Sequence, residues 1–427
     1  MKNAYDELEQ RGFLYQVTDE PRVKKYLETP GARFYVGFDP TASSLHAGSL
    51  VPVMAMRLLQ KWGHHPIALV GGGTGMVGDP SGKTESRKVL LEEEIKSNAE
   101  AMEKQLSRFM VLDGKNGQMA DNVDWLLGLG YISFLRDIGK HFSVNKMLSA
   151  ESYKIRLETG LSFLEFNCLL LQAYAFLVLF ERESCALQLG GQDQWGNIVA
   201  GIDLVRRKLQ GDAMGLTMPL LMNSSGEKFG KSVSGAVWLD AERTSPFDYY
   251  QFWRNTEDAD VGRFLKLFTE LPPEECERLG NIEPPLLNRA KEILAFEATS
   301  IAHSPEEAAR VFQASAGEFG EADPDRRVET SSAIAEIKVE AAPASLLPQF
   351  DIDVSKYPDG LSLIDLYVQS GLLASKGEAR RLIRQGGARV DDVQHKDEKM
   401  ILNLQELDDS FILKAGKKRV LQINLLR

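Results

Sequence analysis

Short apolar runs alternate with longer amphipathic stretches from residue 34 to about residue 220. The runs RFYVGFDP (33–40) and PIALVGG (66–72) have the length and apolar content of buried strands that end in turns. The stretch between them, 49–63, has the apolar spacing of an amphipathic helix. Because a strand, a helix and a second strand follow one another so closely, we predict a βαβ unit and a parallel sheet.

The same alternation returns further along the chain. Residues 185–195 are predicted to be a strand and 197–209 the helix that follows it, and from 245 to about 316 the pattern is helical throughout. The stretch EFNCLLLQAYAF (165–176) also predicts a helix, almost wholly apolar, with Gln172 as the one amide on its inner face. Taken alone, this stretch is typical of a core helix with one hydrogen-bonded glutamine.

The pattern changes after residue 316. Residues 317–358 are rich in Ala, Ser, Pro, Gly and charged residues and bury little, which is typical of a linker. The fold class we expect is α/β: a Rossmann-like parallel-sheet catalytic domain, then an α-helical domain and a small α+β tail domain. The predicted domains are residues 1–225 for the sheet domain, 226–318 for a lysine-containing loop and the helices, 319–358 for the linker and 359–427 for the tail.

Composition and cysteine usage limit the class of protein. The chain has 427 residues, 43% hydrophobic and 26% charged, which is a globular balance and too long for one core. No uninterrupted apolar run reaches the roughly 18 residues of a membrane span, so we expect no membrane partner. Cys168, Cys185 and Cys276 lie far apart, which favours neither a disulfide framework nor a zinc site. We therefore expect a cytoplasmic protein without a structural metal.

Charge is distributed unevenly along the chain. The net charge is −11, yet residues 361–427 carry 12 Lys and Arg against 9 Asp and Glu, a local excess of three positive charges. A basic module on an acidic body is the usual layout for local contact with nucleic acid. On composition alone, a charge-balanced accessory domain explains the tail equally well.

Three loops carry candidate chemistry. In GFDPTASSLHAGSL (37–50) a predicted strand ends in Asp39-Pro40, and His46 and Gly48 lie just before a helix. A helix N-terminus presents free N–H groups and a partial positive charge to a phosphate, and Gly48 lets a flat group approach the backbone. A His-x-Gly alone carries no weight, but its place after this strand strengthens the prediction.

The second loop, GGGTGMVGDPSGKTESR (71–87), invites a P-loop assignment that fails on spacing. Gly82-Lys83-Thr84 needs a glycine at 77, where Val77 stands, and the dinucleotide-binding pattern needs a glycine at Met76. What remains is a turn at the end of a strand that carries Asp79. That acid is either a ligand for an ammonium group or a helix cap.

The third loop is EKFGKSVSG (227–235). Lys228 and Lys231 flank Phe-Gly in a glycine-rich setting. Mobile lysines of this kind can bind a polyphosphate while charge develops on the leaving group. Alone, the segment is as well explained by a solvated loop.

Together these loops resemble the signatures of class I aminoacyl-tRNA synthetases. DPTASSLHAGS resembles the HIGH signature and KFGKS the KMSKS signature, while GGGTGMVGDPSGK and LQLGGQDQWGNIVAG (187–201) resemble the tyrosyl-tRNA synthetase family of bacterial and organellar type. The tail segment SLIDLYVQSGLLASKGEARRLIRQGGARVD resembles a small ribosomal-protein-type RNA-binding fold. The resemblance implies that ATP, brought with Mg²⁺, activates tyrosine or an analogue and that the acyl group passes to tRNA(Tyr).

The resemblance also implies a role for individual residues. The implied catalytic residues are His46, Thr41, Lys228 and Lys231, which contact phosphate or pyrophosphate. The implied ATP-binding residues are Asp39, Gly48, Leu220, Leu221, Lys231 and Asp193. The implied amino-acid-binding residues are Tyr35, Asp79, Asn122, Cys168, Gln172, Ala175, Gln188 and Gln194. Within that last set, Asp79 and Gln172 are expected at the α-ammonium group, and Tyr35, Asn122 and Gln188 at the side-chain end.

The chain departs from the family in the predicted helix at 165–176. Cys168 stands where the family has a tyrosine that helps to bind the ammonium group, and Ala175 where it has an aspartate that accepts the substrate phenol. Gln192 stands where serine is common, and Ser49 replaces the second histidine of HIGH. At position 175 alanine supplies no hydrogen-bond acceptor and leaves more space than aspartate. We therefore expect a larger or less polar substrate, such as a para-substituted or O-alkylated tyrosine. Tyr35 can still bond a phenol, so tyrosine stays open.

Two other functions stay open at this stage. One is an amino-acid activator that passes its acyl group to something other than tRNA, and the other is a silent paralogue that only binds RNA. The basic tail disfavours the first, and retained His46, Lys228 and Lys231 disfavour the second. The resemblance further implies a homodimer, with 131–148 (YISFLRDIGKHFSVNKML) at the interface. Residues 131–148 are equally typical of a pair of core helices.

Overall fold

The computed structural model describes residues 3–77, 91–149, 153–154, 157–158, 160–222, 224, 229–232, 235–339, 347–416 and 419–427. The chain divides into two compact units, and each is described by itself. The first comprises Met1–Phe229 with Lys266–Phe268, and the second comprises Gly230–Leu265 with Thr269–Arg427.

A six-stranded sheet forms the centre of the first unit. Its strands are β1 (Gln16–Val17), β2 (Arg33–Phe38), β3 (His65–Val70), β4 (Gln118–Asp121), β5 (Leu187–Gly191) and β6 (Met214–Met218). They lie in the order β1-β6-β5-β2-β3-β4, with β2 to β6 parallel and β1 antiparallel at the edge. The predicted Rossmann-like α/β fold is confirmed; β2 and β5 fall within the stretches predicted as strands, and β3 begins one residue before its predicted stretch.

Helices cover this sheet. They are α1 (Ala4–Arg11), α2 (Glu20–Tyr26), α3 (Leu50–Lys61), α4 (Gly72–Gly75), α5 (Glu92–Phe109), α6 (Val123–Leu126), α7 (Tyr131–Asp137), α8 (Val144–Leu148), α9 (Phe163–Glu183) and α10 (Trp195–Leu209). Short 3₁₀ turns occur at Ala47–Ser49, Gly139–His141 and Gln192–Gln194. The helices α3, α9 and α10 are those that the apolar spacing of the sequence predicts.

Helix α9 is the longest described helix of this unit and belongs to its core. Ser162 caps its first turn, and the Glu165 side chain reaches back to Ser162, a reciprocal capping box. By length and hydropathy α9 could cross a membrane, but 56% of its apolar window is buried inside the protein. Leu169, Ala173 and Phe176 pack into one core cluster with strand residues, as expected for a core helix.

The second unit begins with a two-stranded ribbon and a set of helices. The ribbon pairs β7 (Lys231–Ser232) with β8 (Gly235–Ala236). The helices are α11 (Pro246–Arg254), α12 (Val261–Phe268), α13 (Pro273–Gly280), α14 (Leu287–Ala302) and α15 (Pro305–Phe319), with 3₁₀ turns at Asp258–Asp260 and Ala333–Glu336. The last three residues of α12 belong to the first unit. The predicted helical character of 245–316 is confirmed.

A small α+β module ends the chain. It contains β9 (Gln349–Asp353), β10 (Leu361–Ser362), β11 (Ala388–Val390), β12 (Val393–His395), β13 (Ile401–Leu402), β14 (Ser410–Ala415), β15 (Arg419–Leu426), α16 (Leu363–Gln369) and α17 (Lys376–Arg384), with a 3₁₀ turn at Val354–Lys356. The larger sheet has the order β12-β11-β14-β15-β9, and β9 pairs in parallel with β15. Strand β9 therefore joins the terminal module, although 319–358 is the predicted linker. The four predicted domain boundaries stay a prediction.

Candidate functional site

The candidate site lies at the carboxyl edge of the parallel sheet. From β2 the chain moves outward through β3 and β4, then returns to the other side of β2 for β5 and β6. The loops after β2 and β5 therefore diverge, and a crevice between diverging loops is where open α/β sheets bind ligands. The loops that follow all five parallel strands carry residues predicted for the site.

The loop after β2 carries His46 and Gly48. His46 caps the turn Ala47–Ser49, and its carbonyl oxygen accepts from Ser49 N at 2.7 Å. A methyl group built on Gly48 would come within 2.8 Å of His46 Cε1 and 3.0 Å of the Phe229 carbonyl oxygen. The imidazole thus lies directly against Gly48, which explains in steric terms why no side chain fits there. Thr41, in the same loop, is exposed.

Helix α5 holds this loop in place from the side. The side-chain oxygen Oε1 of Gln105 accepts from Leu45 N at 2.8 Å, and Gln105 Nε2 donates to Ser44 Oγ at 3.1 Å. About two turns earlier in α5, Asn98 Nδ2 donates to the Pro40 carbonyl oxygen at 3.0 Å. Sequence reasoning missed both residues. Their spacing of seven on the inner face of an amphipathic helix, beside buried Met102, was the available signal.

The glycine-rich turn after β3 is supported by the end of β4. Asn122 Oδ1 accepts from Gly73 N at 2.7 Å and from Thr74 N at 3.3 Å, and Asn122 Nδ2 donates to Thr74 Oγ1 at 3.0 Å. Asp121 Oδ1 accepts from Gly72 N at 3.1 Å, and burial raises the pKa of this carboxyl despite that bond. The amide of Asn122 is therefore engaged in shaping the turn, whereas sequence reasoning predicts it at the substrate side chain.

The loops after β2 and β3 meet closely. A methyl group on Gly71 would lie 2.8 Å from Asp39 Oδ1 and 2.6 Å from Thr74 Oγ1. Gly71 N also donates to the Phe38 carbonyl oxygen at 2.8 Å. The carboxylate of Asp39 thus lies against the backbone of Gly71, at the start of the loop that carries His46.

Neighbouring strands place Tyr35 and Gln188 side by side. The two residues are paired in register between β2 and β5, so their side chains share one face of the sheet. Both are buried, and within the described residues Gln188 Oε1 has no hydrogen-bond partner. Two positions beyond Tyr35 on the same face, Gly37 is exposed, and a methyl group there would meet nothing within 4 Å. Open space therefore begins directly above this pair.

Helix α9 closes the same face with small side chains. Tyr35 packs edge-on against Phe176, with ring centroids 5.2 Å apart. Cys168 and Ala175 are buried at 1% and 2% exposure, and Gln172 Nε2 donates to Cys168 Sγ at 3.4 Å. Burial, and secondarily the Cys185 thiol, raise the pKa of Tyr35 well above its usual value, so its phenol stays protonated. The wall formed by β2 and α9 thus combines apolar and small residues with the phenol of Tyr35 and the amide of Gln172.

The turn after β5 supplies the polar groups on the opposite side. Gln194 Oε1 accepts from Asn197 Nδ2 at 2.9 Å, and Gln194 Nε2 donates to Asp193 Oδ2 at 3.3 Å. The unusual Gln192 uses its Oε1 to accept from Leu220 N at 3.0 Å, linking the ends of β5 and β6. Leu220 is exposed, and Leu221 is buried just after it.

Three predicted residues cannot be placed in this geometry. Asp79, Lys228 and the side chain of Lys231 lie outside the described residues, although the backbone of Lys231 forms part of β7. Among the residues that are described, no group of three or more His, Cys, Asp or Glu is arranged to hold a metal ion. The polar groups of the described site lie on loops, on strands β2 and β5 and on helix α9.

The parallel sheet with a histidine–glycine loop at its switch point defines a class of nucleotide-binding α/β proteins. The sequence profile of the family described as tRNA synthetases class I (W and Y) matches residues 28–320. The chain belongs to this family, and the predicted membership of the class I aminoacyl-tRNA synthetases is confirmed.

Curated relatives extend the similarity to the whole chain. The tyrosine–tRNA ligase of Desulfosudis oleivorans is 51% identical over 422 residues, which are 98% of each chain. The tyrosine–tRNA ligase of Syntrophus aciditrophicus is 50% identical over 427 residues, covering 100% of this chain and 99% of the relative. The terminal module is therefore shared with these relatives, because the match includes residues beyond 320.

Solved structures agree with the fold of the larger part. A C-terminally truncated mitochondrial tyrosyl-tRNA synthetase from Aspergillus nidulans is 30% identical, has a TM-score of 0.66, and is covered over 93% of its length by 74% of this chain. A tyrosyl-tRNA synthetase from Archaeoglobus fulgidus, solved with L-tyrosine, is 17% identical with a TM-score of 0.55 and covers 73% of this chain. At that identity the second likeness concerns the fold alone.

Proposed function

We propose that the chain is a tyrosine–tRNA ligase, acting on tyrosine or on a close analogue of it. In the first step the amino-acid carboxylate attacks the α-phosphorus of ATP, which enters with Mg²⁺, and pyrophosphate leaves. In the second step a terminal ribose hydroxyl of tRNA(Tyr) attacks the acyl carbonyl and AMP leaves. Catalysis of this kind comes from positioning and from stabilising charge on the phosphates.

The nucleotide side is assigned to the loops after β2, β5 and β6. His46 and Thr41 are placed at the phosphates, since the imidazole packs on Gly48 at the start of a helical segment. Asp39, Gly48, Asp193, Leu220 and Leu221 are placed at the ribose and adenine. Lys228 and Lys231 are placed at the departing pyrophosphate on the resemblance alone.

The amino-acid side is assigned to β2, β5 and α9. The observation that carries the proposal is the open space above Gly37, next to the buried pair Tyr35 and Gln188, with Ala175 of α9 in the same core cluster as Tyr35. An aromatic side chain would fill it, with Gln172 and Asp79 at the ammonium group and Gln194 toward the carboxylate. We assign Asn122 a supporting role, because its amide holds the glycine turn.

The small residues at 168 and 175 favour a substrate larger or less polar than tyrosine at its para position. Neither Cys168 nor Ala175 offers a carboxylate to a substrate phenol, and both are buried. A site discriminates against a substrate that leaves its polar groups unpaired, as tyrosyl-tRNA synthetases themselves exemplify. Without that acceptor, rejection of a substrate lacking the hydroxyl weakens.

Charging of tRNA tests the reaction as a whole. The chain is incubated with ATP, an amino acid and a bacterial tRNA(Tyr) transcript, and acylation is followed on acid gels. Acylated tRNA that depends on both ATP and the amino acid supports the proposal. Adenylate formation without any charged tRNA would favour the activator that uses another acceptor, and neither reaction would favour the RNA-binding paralogue.

We also propose that the ligase is a cytoplasmic homodimer. The described residues expose several large apolar side chains close together in sequence: Leu127, Tyr131, Ile132, Leu135, Val144, Phe163 and Leu164. Ile132 is 74% exposed and Phe163 is 70% exposed, which is costly unless a partner covers them. Sedimentation at micromolar concentration should give a dimer, and Ile132→Asp should give a monomer. A wild-type monomer would contradict this proposal.

A further inference from the structure

A second cleft lies at the amino edge of the sheet, away from the candidate site at its carboxyl edge. It lies where β2 and β3 begin and where α3 and α5 end, and the loop 110–116 forms its outer wall. Its volume is about 830 Å³. This is within the range of roughly 300–1,000 Å³ that small-molecule sites occupy. We call this feature the amino-edge cleft, and none of the residues assigned above lines it.

The charged side chains that line the amino-edge cleft are mainly basic. Arg57, Lys61, Arg108 and Lys115 face one acid, Asp113, although the whole chain has a net charge of −11. Within the described part of the chain, neither Arg108 nor Lys115 is paired with a carboxylate. A local excess of positive charge in a concave surface concentrates anions.

Asp113, the one acid that lines the cleft, forms its hydrogen bonds within its own loop. Asp113 Oδ1 accepts from Lys115 N at 2.9 Å and from Asn116 N at 2.7 Å, and Oδ2 accepts from Asn116 Nδ2 at 2.8 Å. These bonds lower the pKa of Asp113 and orient it toward the turn. The carboxylate therefore shapes the wall of the cleft and competes little with an incoming anion for Arg108 and Lys115.

Two histidine residues form part of the lining of the cleft. His64 and His65 are 3% and 8% exposed, and among the described residues His64 Nδ1 and His65 Nε2 have no hydrogen-bond partner. Burial lowers the pKa of both rings, which favours their neutral form. Phe109 lines the cleft beside them. Flat buried rings beneath a basic rim suit a ligand with an aromatic part and a phosphate.

We propose that the amino-edge cleft binds a phosphorylated small molecule of about nucleotide size, with its phosphate at Lys61, Arg108 and Lys115 and its flat part toward His64 and His65. Arg57 has a structural role, because it donates to the Phe109 carbonyl oxygen at 2.6 Å and so holds the end of α5. The site is independent of the ATP site in the proposed function, since the two lie at opposite edges of the sheet.

Amide hydrogen exchange with AMP as the probe locates binding directly, with adenosine as the matched ligand without phosphate. We expect AMP to protect the peptides covering 107–117 and adenosine to protect them far less. In K61Q/R108Q/K115Q the AMP concentration needed for that protection should rise at least roughly tenfold. The control K25Q/K96Q/K104Q removes the same charge from exposed positions outside the cleft and should behave as wild type.

Four outcomes would overturn the proposal. They are no protection of 107–117 at about 10 mM AMP, equal protection by adenosine, unchanged protection in the cleft variant, and protection by tRNA alone, which would make the cleft an RNA contact. ATP–pyrophosphate exchange keeps this result separate from the proposed function. The cleft variant should retain exchange within about twofold, since the substituted residues are remote from the carboxyl edge.

Discussion

The nucleotide side and the amino-acid side of the candidate site are built differently. On the nucleotide side, loops with polar side chains are held by hydrogen bonds from neighbouring elements, as Gln105 holds Leu45 and Asn98 holds Pro40. On the amino-acid side, packing dominates: Tyr35 meets Phe176, and Cys168 and Ala175 are almost fully buried.

The difference reflects what each side has to recognise. ATP is the same for every synthetase of the class, and the residues assigned to it, such as His46 and Gly48, are those that the resemblance predicts. We propose that the amino-acid wall decides specificity, and both departures from the family in α9 lie there, at Cys168 and Ala175. We therefore expect changes on the nucleotide side to alter the rate for every substrate, and changes on the other side to alter the ranking of substrates.

The largest effect is expected for His46→Ala. Removing the imidazole takes away a donor aimed at the phosphates, so kcat for pyrophosphate exchange should fall by about 10²- to 10³-fold for every amino acid tested. His395→Ala in the terminal module is the control and should leave exchange unchanged. If kcat fell for one amino acid only, His46 would act in amino-acid specificity, and the contrast between the two sides of the site would be wrong.

Ala175→Asp tests the other side. A carboxylate at this position should accept a substrate phenol and raise the ratio of kcat/KM for tyrosine over phenylalanine by about 10- to 100-fold. Ala175→Asn has nearly the same size without the charge and should raise the ratio less. If the two variants leave the ratio as it is, residue 175 does not face the substrate side chain.

Asn122→Ala separates support from recognition. The substitution leaves Gly73 N and Thr74 Oγ1 without their buried partner, so the free energy of unfolding should fall by about 1–3 kcal/mol in urea titrations. Asn167→Ala, which removes one exposed bond to the Phe163 carbonyl oxygen, should cost much less. If Asn122→Ala keeps the wild-type free energy of unfolding but loses discrimination between substrates, then Asn122 binds the substrate rather than supporting the turn.

The smallest effect is expected for Gln188→Met. Because Gln188 Oε1 has no partner among the described residues, an apolar replacement of similar shape should leave the free energy of unfolding nearly unchanged. The preference for substrates with a polar para group should fall by about three- to tenfold. A strong loss of stability instead would show that the amide has a structural role.

Local patterns predicted the elements whose own residues determine them. The strands around Tyr35 and Ile67 are continuous apolar runs because both faces are covered, and α9 is predicted by its apolar spacing. The two-residue edge strand β1 is too short to leave a pattern. Strand β9 was missed because it is held by pairing with β15 at the far end of the module, which leaves no signal in the sequence around β9 itself.

The candidate site divides in the same way. Loop residues such as His46 and Gly48 were predicted because they form short motifs next to a strand. The supporting role of Asn122 could not be predicted, because its bonds to Gly73 and Thr74 join loops 48 or 49 residues apart in sequence. Gln105 was missed for the same reason, since it acts on a loop 60 residues earlier.

The central claim is that the wall formed by β2 and α9 ranks substrates differently from an ordinary tyrosine enzyme. The most direct test is amino-acid-dependent ATP–pyrophosphate exchange with tyrosine, phenylalanine and a series of para-substituted phenylalanines, including O-alkylated tyrosine. We predict the highest kcat/KM for a para-substituted or O-alkylated substrate, because Cys168 and Ala175 open space and remove an acceptor. A clear preference for tyrosine over every analogue would contradict the claim and would show that Tyr35 and its neighbours compensate for Ala175.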